Sequence, residues 1–282
     1  MIKLGSLKTA EEAIVAAGMN FAVEQTPIMG CNGMDIKSHK LLFRSDDNQP
    51  LGVVGSGYVP IQNSHAFSFM DVLAEKHGAT YEYGAVIKGG RRILIQARLG
   101  NPFDVRPGDK VEQFVTLVNS HDGSTSLRAF FTPIRLFCMN QLSIALAKAT
   151  SAINLRHTAN IEFRIRDALQ VFNLSGEYFA VFKQKAAYLS QKIVDTAMVN
   201  RFLDEVMKDT GSTKNENQRQ DVVRLFENGK GNGRGTAWDL WNGMTEFIDH
   251  ERGSNPDKRL ESSMFGQGSH LKQASFEAAM EL

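Results

Sequence analysis

The chain has 282 residues, of which 42% are hydrophobic and 22% are charged, and its formal net charge is +1. These values are typical of a folded globular protein. A net charge this close to zero excludes a strongly basic protein that attracts acidic partners through its overall charge. The two cysteines, Cys31 and Cys138, lie far apart and form no CxxC pair. The sequence therefore supports neither a zinc ribbon nor a disulfide framework.

The amino-terminal segment MIKLGSLKTAEEAIVAAGMNF lacks the continuous apolar stretch of a signal peptide. No window of the sequence approaches the ~18 apolar residues that a membrane-spanning helix requires. We therefore expect a cytoplasmic protein with no membrane partner.

The first half of the chain predicts strands between helices. A short helix is expected at residues 9–18, a hairpin at 28–50 and a second helix at 63–77. A further helix is expected at 138–149. Four strand-like segments joined by short turns lie between the last two helices, at residues 80–87, 91–99, 111–119 and 125–132. Such short connections allow only antiparallel pairing, so we predict an α+β fold with an antiparallel β-meander packed on helices.

The second half of the chain predicts a mainly α-helical region. Apolar residues recur at near-heptad spacing from Ile161 to Val194, as in a long helix or a helical pair broken near Gly176. Residues 209–236 combine a polar segment with the glycine-rich NGKGNGRGT, which predicts a flexible loop. The segments AWDLWNGMTEFIDHER and HLKQASFEAAMEL predict amphipathic helices. We therefore divide the chain into an α+β core at 1–160 and a helical region at 161–282.

The segment NSHDGS, residues 119–124, brings together residue types that occur in catalytic sites. Consecutive residues at a strand end point in different directions, so they rarely assemble a Ser-His-Asp triad. Asp122 and Gly123 suit the positive φ angles of a type I′ turn, which favours a hairpin turn. A turn of this kind can still present polar groups to a ligand.

Basic residues are grouped along the predicted sheet, although the net charge is close to zero. Four fall between residues 84 and 98, where there is no acidic residue, and four fall between 119 and 160, where Asp122 is the only acid. The two-residue period of a strand places Arg128 and Phe130 on the face opposite to the core. On the segment RRILIQAR, the second face would carry Arg92, Leu94, Gln96 and Arg98.

A sheet face with arginines and interleaved aromatic rings fits single-stranded nucleic acid, because cations follow the phosphates and rings stack on bases. The alternative is a solvated face, or a face covered by the second half of the chain.

The sequence indicates no metal or cofactor site. The histidines are scattered without an HxxxH or HxxE pair, and NGKGNGRG lacks the residue order of a phosphate-binding loop. Four acids of AWDLWNGMTEFIDHER could hold magnesium, but acids on a helix usually form its solvated face. They are Asp239, Glu246, Asp249 and Glu251.

Four segments of the chain carry a resemblance to a known family. They are LGVVGSGYVPIQNSHAF, LVNSHDGSTSLRAFFTPIRLFCMNQ, INLRHTANI and AWDLWNGMTEFIDHE with the later RLESSMFG. In this order they resemble the phage/plasmid-like protein family (domain-of-unknown-function family 932), from about residue 8 to the C terminus. The resemblance implies a context of mobile genetic elements and supplies no reaction and no catalytic residue.

The predicted order of helix, four strands and helix is also similar to the annealing core of single-strand annealing recombinases. In that superfamily, subunits assemble into rings or filaments with single-stranded DNA in a basic groove. This likeness is one of element order and charge placement, and so it is an analogy. The longer helical second half of this chain departs from it.

We therefore predict a single-stranded DNA-binding protein of phage or plasmid DNA metabolism, with strand annealing as its expected activity and homo-oligomers formed through the near-heptad helix. It requires no cofactor. The cations expected at phosphates are Lys88, Arg91, Arg92, Arg98, Arg128, Arg135 and Arg156. Phe130 is expected to stack on bases, and the hydrogen-bonding residues are Asn119, His121, Asn140 and Gln141.

Two other functions stay open. One is a non-enzymatic interaction or regulatory protein of a mobile element, which would bind another protein through its helical half. The other is a metal-dependent nuclease or other hydrolase, whose turnover would depend on Asp122 or His121.

Overall fold

A computed structural model describes residues 1–68, 70–71, 78–136, 138, 140–142, 152–158 and 175–282. The contacts divide the chain into two units. Unit 1 contains Met1–Gly100, Phe114–Phe131 and Ala152–Leu174, and unit 2 contains Asn101–Gln113, Thr132–Ser151 and Ser175–Leu282. The predicted domain boundary at residues 160 and 161 lies outside the described residues and stays a prediction.

The strands form two antiparallel sheets. In chain order they are β1 (Ile2–Leu7), β2 (Val23–Met29), β3 (Asp35–Arg44), β4 (Pro50–Gly55), β5 (Thr80–Ile87), β6 (Arg92–Arg106), β7 (Asp109–Ser120), β8 (Leu127–Arg135), β9 (Asn140–Gln141) and β10 (Ala152–Leu155). The larger sheet has the order β1-β5-β6-β7-β8-β10, with β9 also paired to β8, and the smaller has the order β2-β3-β4. The consecutive order from β5 to β8 is the predicted meander.

The helices complete the predicted α+β fold, which the structure confirms. Two short helices, α1 (Ala10–Ala16) and α2 (Asn63–Ser68), belong to unit 1. The second half of the chain contributes α3 (Ser175–Gln191), α4 (Thr196–Val206), α5 (Thr213–Asn228), α6 (Ala237–Glu246), α7 (Pro256–Phe265) and α8 (Gln267–Glu281). No helix of the described residues is both long enough and apolar enough to span a membrane.

Unit 1 uses local signals that the sequence displays. A capping box begins α1, because the Thr9 hydroxyl accepts a hydrogen bond from the Glu12 amide while the Glu12 carboxylate accepts one from the Thr9 amide. The smaller sheet comes close to the connection between β7 and β8 at Gly52. A Cβ atom added there would lie 2.7 Å from the Cα atom of Asp122, so only glycine fits this contact.

Unit 2 is built around aromatic side chains of three helices. Phe182 of α3 packs against Trp238 and Trp241 of α6, with ring centroids 6.5 and 6.3 Å apart. Trp241 in turn lies 5.0 Å from the Phe276 ring of α8. Both indoles are fully buried, so α6 lies at the centre of the helical packing in this unit.

A network of buried charges joins β6, β7 and β8 to α6 within unit 2. Arg135 donates two hydrogen bonds to the Asp109 carboxylate, at 2.7 and 2.6 Å, and both side chains are at most 2% exposed. The same carboxylate contacts Arg106 at 3.1 Å and accepts a 2.9 Å hydrogen bond from the Trp238 indole. Arg106 also pairs with Asp239 at 2.5 Å. Two arginines thus balance two aspartates inside the unit.

The network also fixes the glycine-rich connection between α5 and α6. The Gly231 carbonyl accepts hydrogen bonds from Arg106 and Arg135, at 2.8 and 2.7 Å. The Asn232 side chain accepts a 2.7 Å bond from Arg135 and donates one to the Asp239 carbonyl. This backbone is therefore held by arginine side chains from the strands.

Much of the stretch predicted as a flexible loop, residues 209–236, is helical. The Ser212 hydroxyl accepts a hydrogen bond from the Asn215 amide and begins α5, which continues to Asn228. Its polar side chains suit an exposed helix face, and burial of Val222 and Leu225 gives it an apolar face.

The helix predicted to begin at Cys138 is a second correction. Asn140 and Gln141 form β9, paired with Arg135 and Ile134 of β8. They are tied there by hydrogen bonds that helical spacing cannot reveal, such as the one from the Gln141 amide to Asp249. The rest of the predicted helix, at 143–149, lies outside the described residues.

The near-heptad segment predicted for self-association packs inside its own chain where it is described. In α3, Phe179, Phe182, Ala186 and Leu189 are buried. Ile193 follows the helix in an isolated bridge to Thr236, and its side chain is 68% exposed. The apolar spacing in α3 is thus explained by contacts such as that of Phe182 with the tryptophans of α6. The part of the segment before residue 175 lies outside the described residues.

Replacing the central carboxylate of the charge network should destabilise the protein strongly. The substitution Asp109→Ala leaves Arg106 and Arg135 buried with too little negative charge, and we expect it to lower the free energy of unfolding by about 3–5 kcal/mol. Urea denaturation monitored by tryptophan fluorescence measures this loss, because Trp238 and Trp241 are both in unit 2.

The matched control is Asp104→Ala. Asp104 pairs with Lys110 at the surface, where both side chains are nearly half exposed, so we expect a change below ~1 kcal/mol. Equal effects of the two substitutions would contradict the role given to the buried network.

Candidate nucleic-acid interface

The chain reversals of the larger sheet bring several of the predicted cations to one end of unit 1. The connection 88–91 joins β5 to β6, and the connection 121–126 joins β7 to β8. Strand β10 runs antiparallel to β8, with Leu155 opposite Leu127, so Arg156 emerges at this same end. We call this end of the sheet, with residues 88–92, 121–126 and 156–157, the turn end.

The first connection presents three cations. Lys88, Gly89 and Gly90 all have positive φ angles, of 50°, 68° and 101°, which reverses the chain in very few residues. Lys88 and Arg91 are exposed, and Arg92 is partly exposed. The predicted hairpin signal KGG therefore sets these side chains at the edge of the turn end.

The second connection is hydrogen-bonded to the first. The His121 amide donates a 2.8 Å bond to the Arg91 carbonyl, and Arg92 Nε donates a 2.9 Å bond to the Ser124 hydroxyl. Asp122 accepts from the Ser124 amide at 2.9 Å. NSHDGS thus contributes to a turn, as predicted, but the connection is longer than a two-residue type I′ turn. Within it, Gly123 has a positive φ and Asp122 does not.

Buried amide side chains support the turn end from below. Asn119 is fully buried and donates a 3.1 Å hydrogen bond to the Ile61 carbonyl. The Asn63 amide nitrogen donates to the Met19 carbonyl at 2.7 Å, so its oxygen faces the ring of His121, 2.8 Å from Nε2. The His121 ring therefore carries its proton on Nε2, because the Asn63 oxygen can only accept.

A tyrosine and a second histidine complete this support. The rings of Tyr58 and His157 are stacked, with centroids 4.6 Å apart and an interplanar angle of 12°. The Tyr58 hydroxyl donates a 2.8 Å bond to the Ser120 carbonyl, and the Val59 amide donates to the His157 carbonyl. Burial raises the pKa of Tyr58. The residues that precede α2 are thereby attached to the end of β7 at Ser120 and to the segment after β10 at His157.

Both histidines are uncharged at neutral pH. Burial lowers the pKa of His121 to about 3, with a further lowering from His157 and an opposing effect of Asp122. Burial likewise lowers the pKa of His157 to about 4, against the effect of its backbone contact with Val59. In the described part of the chain, Nδ1 of His121 and both ring nitrogens of His157 are buried and have no hydrogen-bond partner. Protonation there would place a buried charge whose desolvation outweighs the opposing effects of Asp122 and Val59.

Arg128 and Phe130 lie on one face of β8, as predicted. Both are partly exposed, whereas Leu127, Ala129 and Phe131 between and beside them are buried. The Arg128 guanidinium lies 5.6 Å from the centre of the Phe130 ring, and burial lowers the pKa of Arg128. A cation and an aromatic ring are thus adjacent on this face.

Strand alternation predicts that Arg92, Leu94, Gln96 and Arg98 share the second face of β6, and the middle of this row is buried. Leu94 and Gln96 are fully buried, and Gln96 donates a 2.9 Å hydrogen bond to the Thr116 hydroxyl. Arg98 lies six residues from Arg92, about 20 Å along the strand, and pairs with Glu82 at 3.0 Å. Arg98 is therefore remote from the turn end.

Three of the predicted contact residues belong to unit 2 and are buried there. Arg135 is fully enclosed by its ion pair with Asp109 and cannot reach a phosphate in this conformation. Asn140 donates to the Asn242 carbonyl at 3.1 Å, and the Gln141 carbonyl accepts from Lys272 at 3.0 Å. These residues hold β9 in place, and their prediction as nucleic-acid contacts is corrected to this structural role. Asn119 and His121 are likewise buried, and they support the turn end from inside.

Two of the acids considered for magnesium are engaged in buried ion pairs. Asp239 pairs with Arg106, and Asp249 pairs with Lys272 at 2.5 Å. Over the described ranges, no three side chains of His, Cys, Asp or Glu come together in a way that could hold a metal ion.

Sequence reasoning missed Tyr58, Asn63 and His157 as supports of the turn end. All three lie in segments that carry the family resemblance, namely GYVPIQNSHAF and INLRHT. The available signal was that these segments and NSHDGS carry the same family resemblance. Only the fold shows that they come together.

Comparison with known protein families identifies the family of this chain. A family model described as "Domain of unknown function (DUF932)" matches residues 50–265, which is more than half of the chain. No curated protein and no solved structure matches. The matched range includes Tyr58, both connections of the turn end and the charge network of unit 2.

The two buried histidines predict an acid-sensitive stability. The folded pKa values of both histidines lie below the ordinary value of about 6.5. The stability that these uncharged side chains give to the fold is therefore fully present above about pH 6.5. It is lost as pH falls toward about 4 for His157 and about 3 for His121. In this window each should add up to ~1.4 kcal/mol per pH unit to the decline in unfolding free energy. Urea denaturation at a series of pH values measures the slope.

The variant His121→Gln with His157→Gln should be less stable at neutral pH but should show a shallower acid slope. His39→Gln, at an exposed site, is the matched control and should keep the wild-type slope. A double variant with the wild-type slope would show that these histidines are not the groups that titrate.

Proposed function

The chain belongs to the DUF932 family, and from that premise we propose that it binds single-stranded nucleic acid, DNA foremost, at the turn end of unit 1. The proposed setting is phage or plasmid DNA metabolism, where annealing of complementary strands would be the activity. The grouping of Lys88, Arg91, Arg92 and Arg156 at one end of one sheet is the observation that carries the proposal.

The local charge supports an anionic ligand. Arg91 and Arg156 are exposed at the turn end, and Asp122 of the second connection accepts hydrogen bonds within its own turn. Lys88, Arg91 and Arg92 lie in or beside the first connection, which is hydrogen-bonded to the second, and Arg156 directly follows β10. The backbone positions that carry the cations are therefore fixed before a phosphate backbone binds. Such preorganisation lowers the entropy lost on binding.

The pair of Arg128 and Phe130 supports a single strand as the ligand. Bases of a single strand are free to stack on an aromatic ring, whereas paired bases of a duplex are already stacked. Phe130 lies four residues beyond Ser126 on β8, about 13 Å from the second connection. A strand that contacts Arg91 or Arg156 through its phosphates could therefore place a base at Phe130.

Removal of two exposed cations should weaken binding and its dependence on salt. For Arg91→Ala with Arg156→Ala, we expect the affinity for a fluorescent single-stranded oligonucleotide to fall about 10-fold at moderate salt. The slope of log affinity against log salt should fall by about 1.4, because each lost phosphate contact removes about 0.7 for a single strand. Fluorescence anisotropy over a salt series measures both quantities.

The matched control is Arg201→Ala with Lys214→Ala, which removes the same charge from exposed positions of α4 and α5. This variant should retain the wild-type affinity and slope. Wild-type protein that binds no oligonucleotide, or equal losses in the two double variants, would overturn the proposal.

A further inference from the structure

The hairpin of β2 and β3 ends in an exposed apolar tip. Met29, Met34 and Ile36 are 59%, 66% and 41% exposed. The turn between them is ordered, since the Gly30 amide donates to the Met34 carbonyl at 2.8 Å. From residue 35 to 39, every residue of β3 is exposed, so both faces of the hairpin are open to solvent there. Three large apolar side chains are thus displayed together on a defined scaffold.

The same unit contains a pocket of about 610 Å³ that is lined by both apolar and polar side chains. Its floor is formed by Ile14, Met19 and Phe21, which are buried, and Val15 of α1 stands at its rim with 60% exposure. This volume is within the roughly 300–1,000 Å³ range of ligand pockets. It offers apolar surface to a ligand of the size of a few side chains.

The charges around the tip and the pocket are opposite in sign. Glu11 and Asp71 line the pocket, and none of its described lining residues is basic. Behind the tip, β3 carries Lys37 and Lys40 with one acid, Asp35. An apolar tip followed by lysines therefore complements a pocket that has apolar side chains in its lining and Glu11 exposed beside them.

The tip cannot fill the pocket of its own molecule. Ala22 lines the pocket, and β2 begins at the next residue and runs to Met29. At about 3.3 Å per residue, this strand carries the tip about 20 Å from Ala22. The pairing of β2 with β3 over most of its length holds the strand extended. The tip is thus available to another molecule.

We propose that the β2–β3 tip of one molecule inserts into the α1 pocket of a second copy of this chain. The two surfaces differ, so the contact is heterologous and each molecule keeps one free tip and one free pocket. Such a contact propagates into a closed ring if the rotation between subunits closes, and into a filament if it does not.

Complementary variants test this directly. A tip variant, Met34→Asp with Ile36→Asp, and a pocket variant, Val15→Asp with Ala22→Asp, change only exposed residues, and the two variant surfaces repel each other. In sedimentation velocity, we expect wild-type protein to associate as its concentration rises, and each variant alone to remain a monomer. An equimolar mixture should form a two-chain species and stop there, because it contains one intact tip and one intact pocket.

Ile193→Asp distinguishes this contact from association through the near-heptad segment. Ile193 is exposed in unit 2, so this substitution should leave assembly unchanged. Circular dichroism and thermal melting should show that all variants are folded. Wild-type protein that stays monomeric, variants that associate like wild type, a mixture that does not pair, or assembly lost only in Ile193→Asp would each overturn the proposal.

The exposed Cys31 in the tip turn provides an independent measurement. Ser64 lines the pocket, and the substitution Ser64→Cys should give a disulfide between molecules under mild oxidation, visible on a non-reducing gel. The same substitution combined with Cys31→Ser should lose that product, as should Lys258→Cys in the presence of Cys31. Equal cross-linking in all three would count against insertion of the tip.

Discussion

The packing of unit 2 depends on one buried carboxylate. Asp109 accepts hydrogen bonds from Arg135 and Trp238 and also contacts Arg106, so one side chain of β7 joins two other strands to α6. Buried ion pairs often contribute little net stability, since desolvation opposes their attraction. Buried ion pairs instead favour one packing arrangement over others, because any packing that separates the partners leaves a charge buried alone. The network therefore limits the ways in which α6 can meet the strands.

The parts of the fold that were predictable from sequence are those set by neighbouring residues. The meander follows from alternation and from turns such as KGG and HDGS, and α1 follows from its alanines, the acids of its first turn and the glycine that ends it. The edge strands β1 and β10 were missed because they are short, and β1 contains Gly5 and Ser6 with positive φ angles. Helix α5 was missed because few of its residues are apolar, and β9 because its pairing with Arg135 is visible only in three dimensions.

The candidate site also has parts that were predictable from neighbouring residues and parts that only the fold reveals. Local turn chemistry correctly brought Lys88, Arg91 and Arg92 to a sheet end, and the strand period correctly separated Arg128 and Phe130 from their buried neighbours. The period placed Leu94 and Gln96 on one face with Arg92 and Arg98, but it cannot say whether that face is covered. It also cannot distinguish a solvated arginine from one with a distant partner. Arg135 is the example, because Asp109 precedes it by 26 residues.

The Gly231 carbonyl, which accepts hydrogen bonds from both Arg106 and Arg135, has a consequence for how this chain can vary. Glycine-rich surface connections ordinarily tolerate insertions and are cut readily by proteases. Here the backbone is a hydrogen-bonding partner of two buried arginines, and its register relative to them is fixed by the bonds of Asn232 to the carbonyls of Leu225 and Asp239. A single inserted residue would move the carbonyl away from the guanidinium groups. NGKGNGRG thus has the composition of a linker, but its length is fixed by the hydrogen bonds that its backbone accepts.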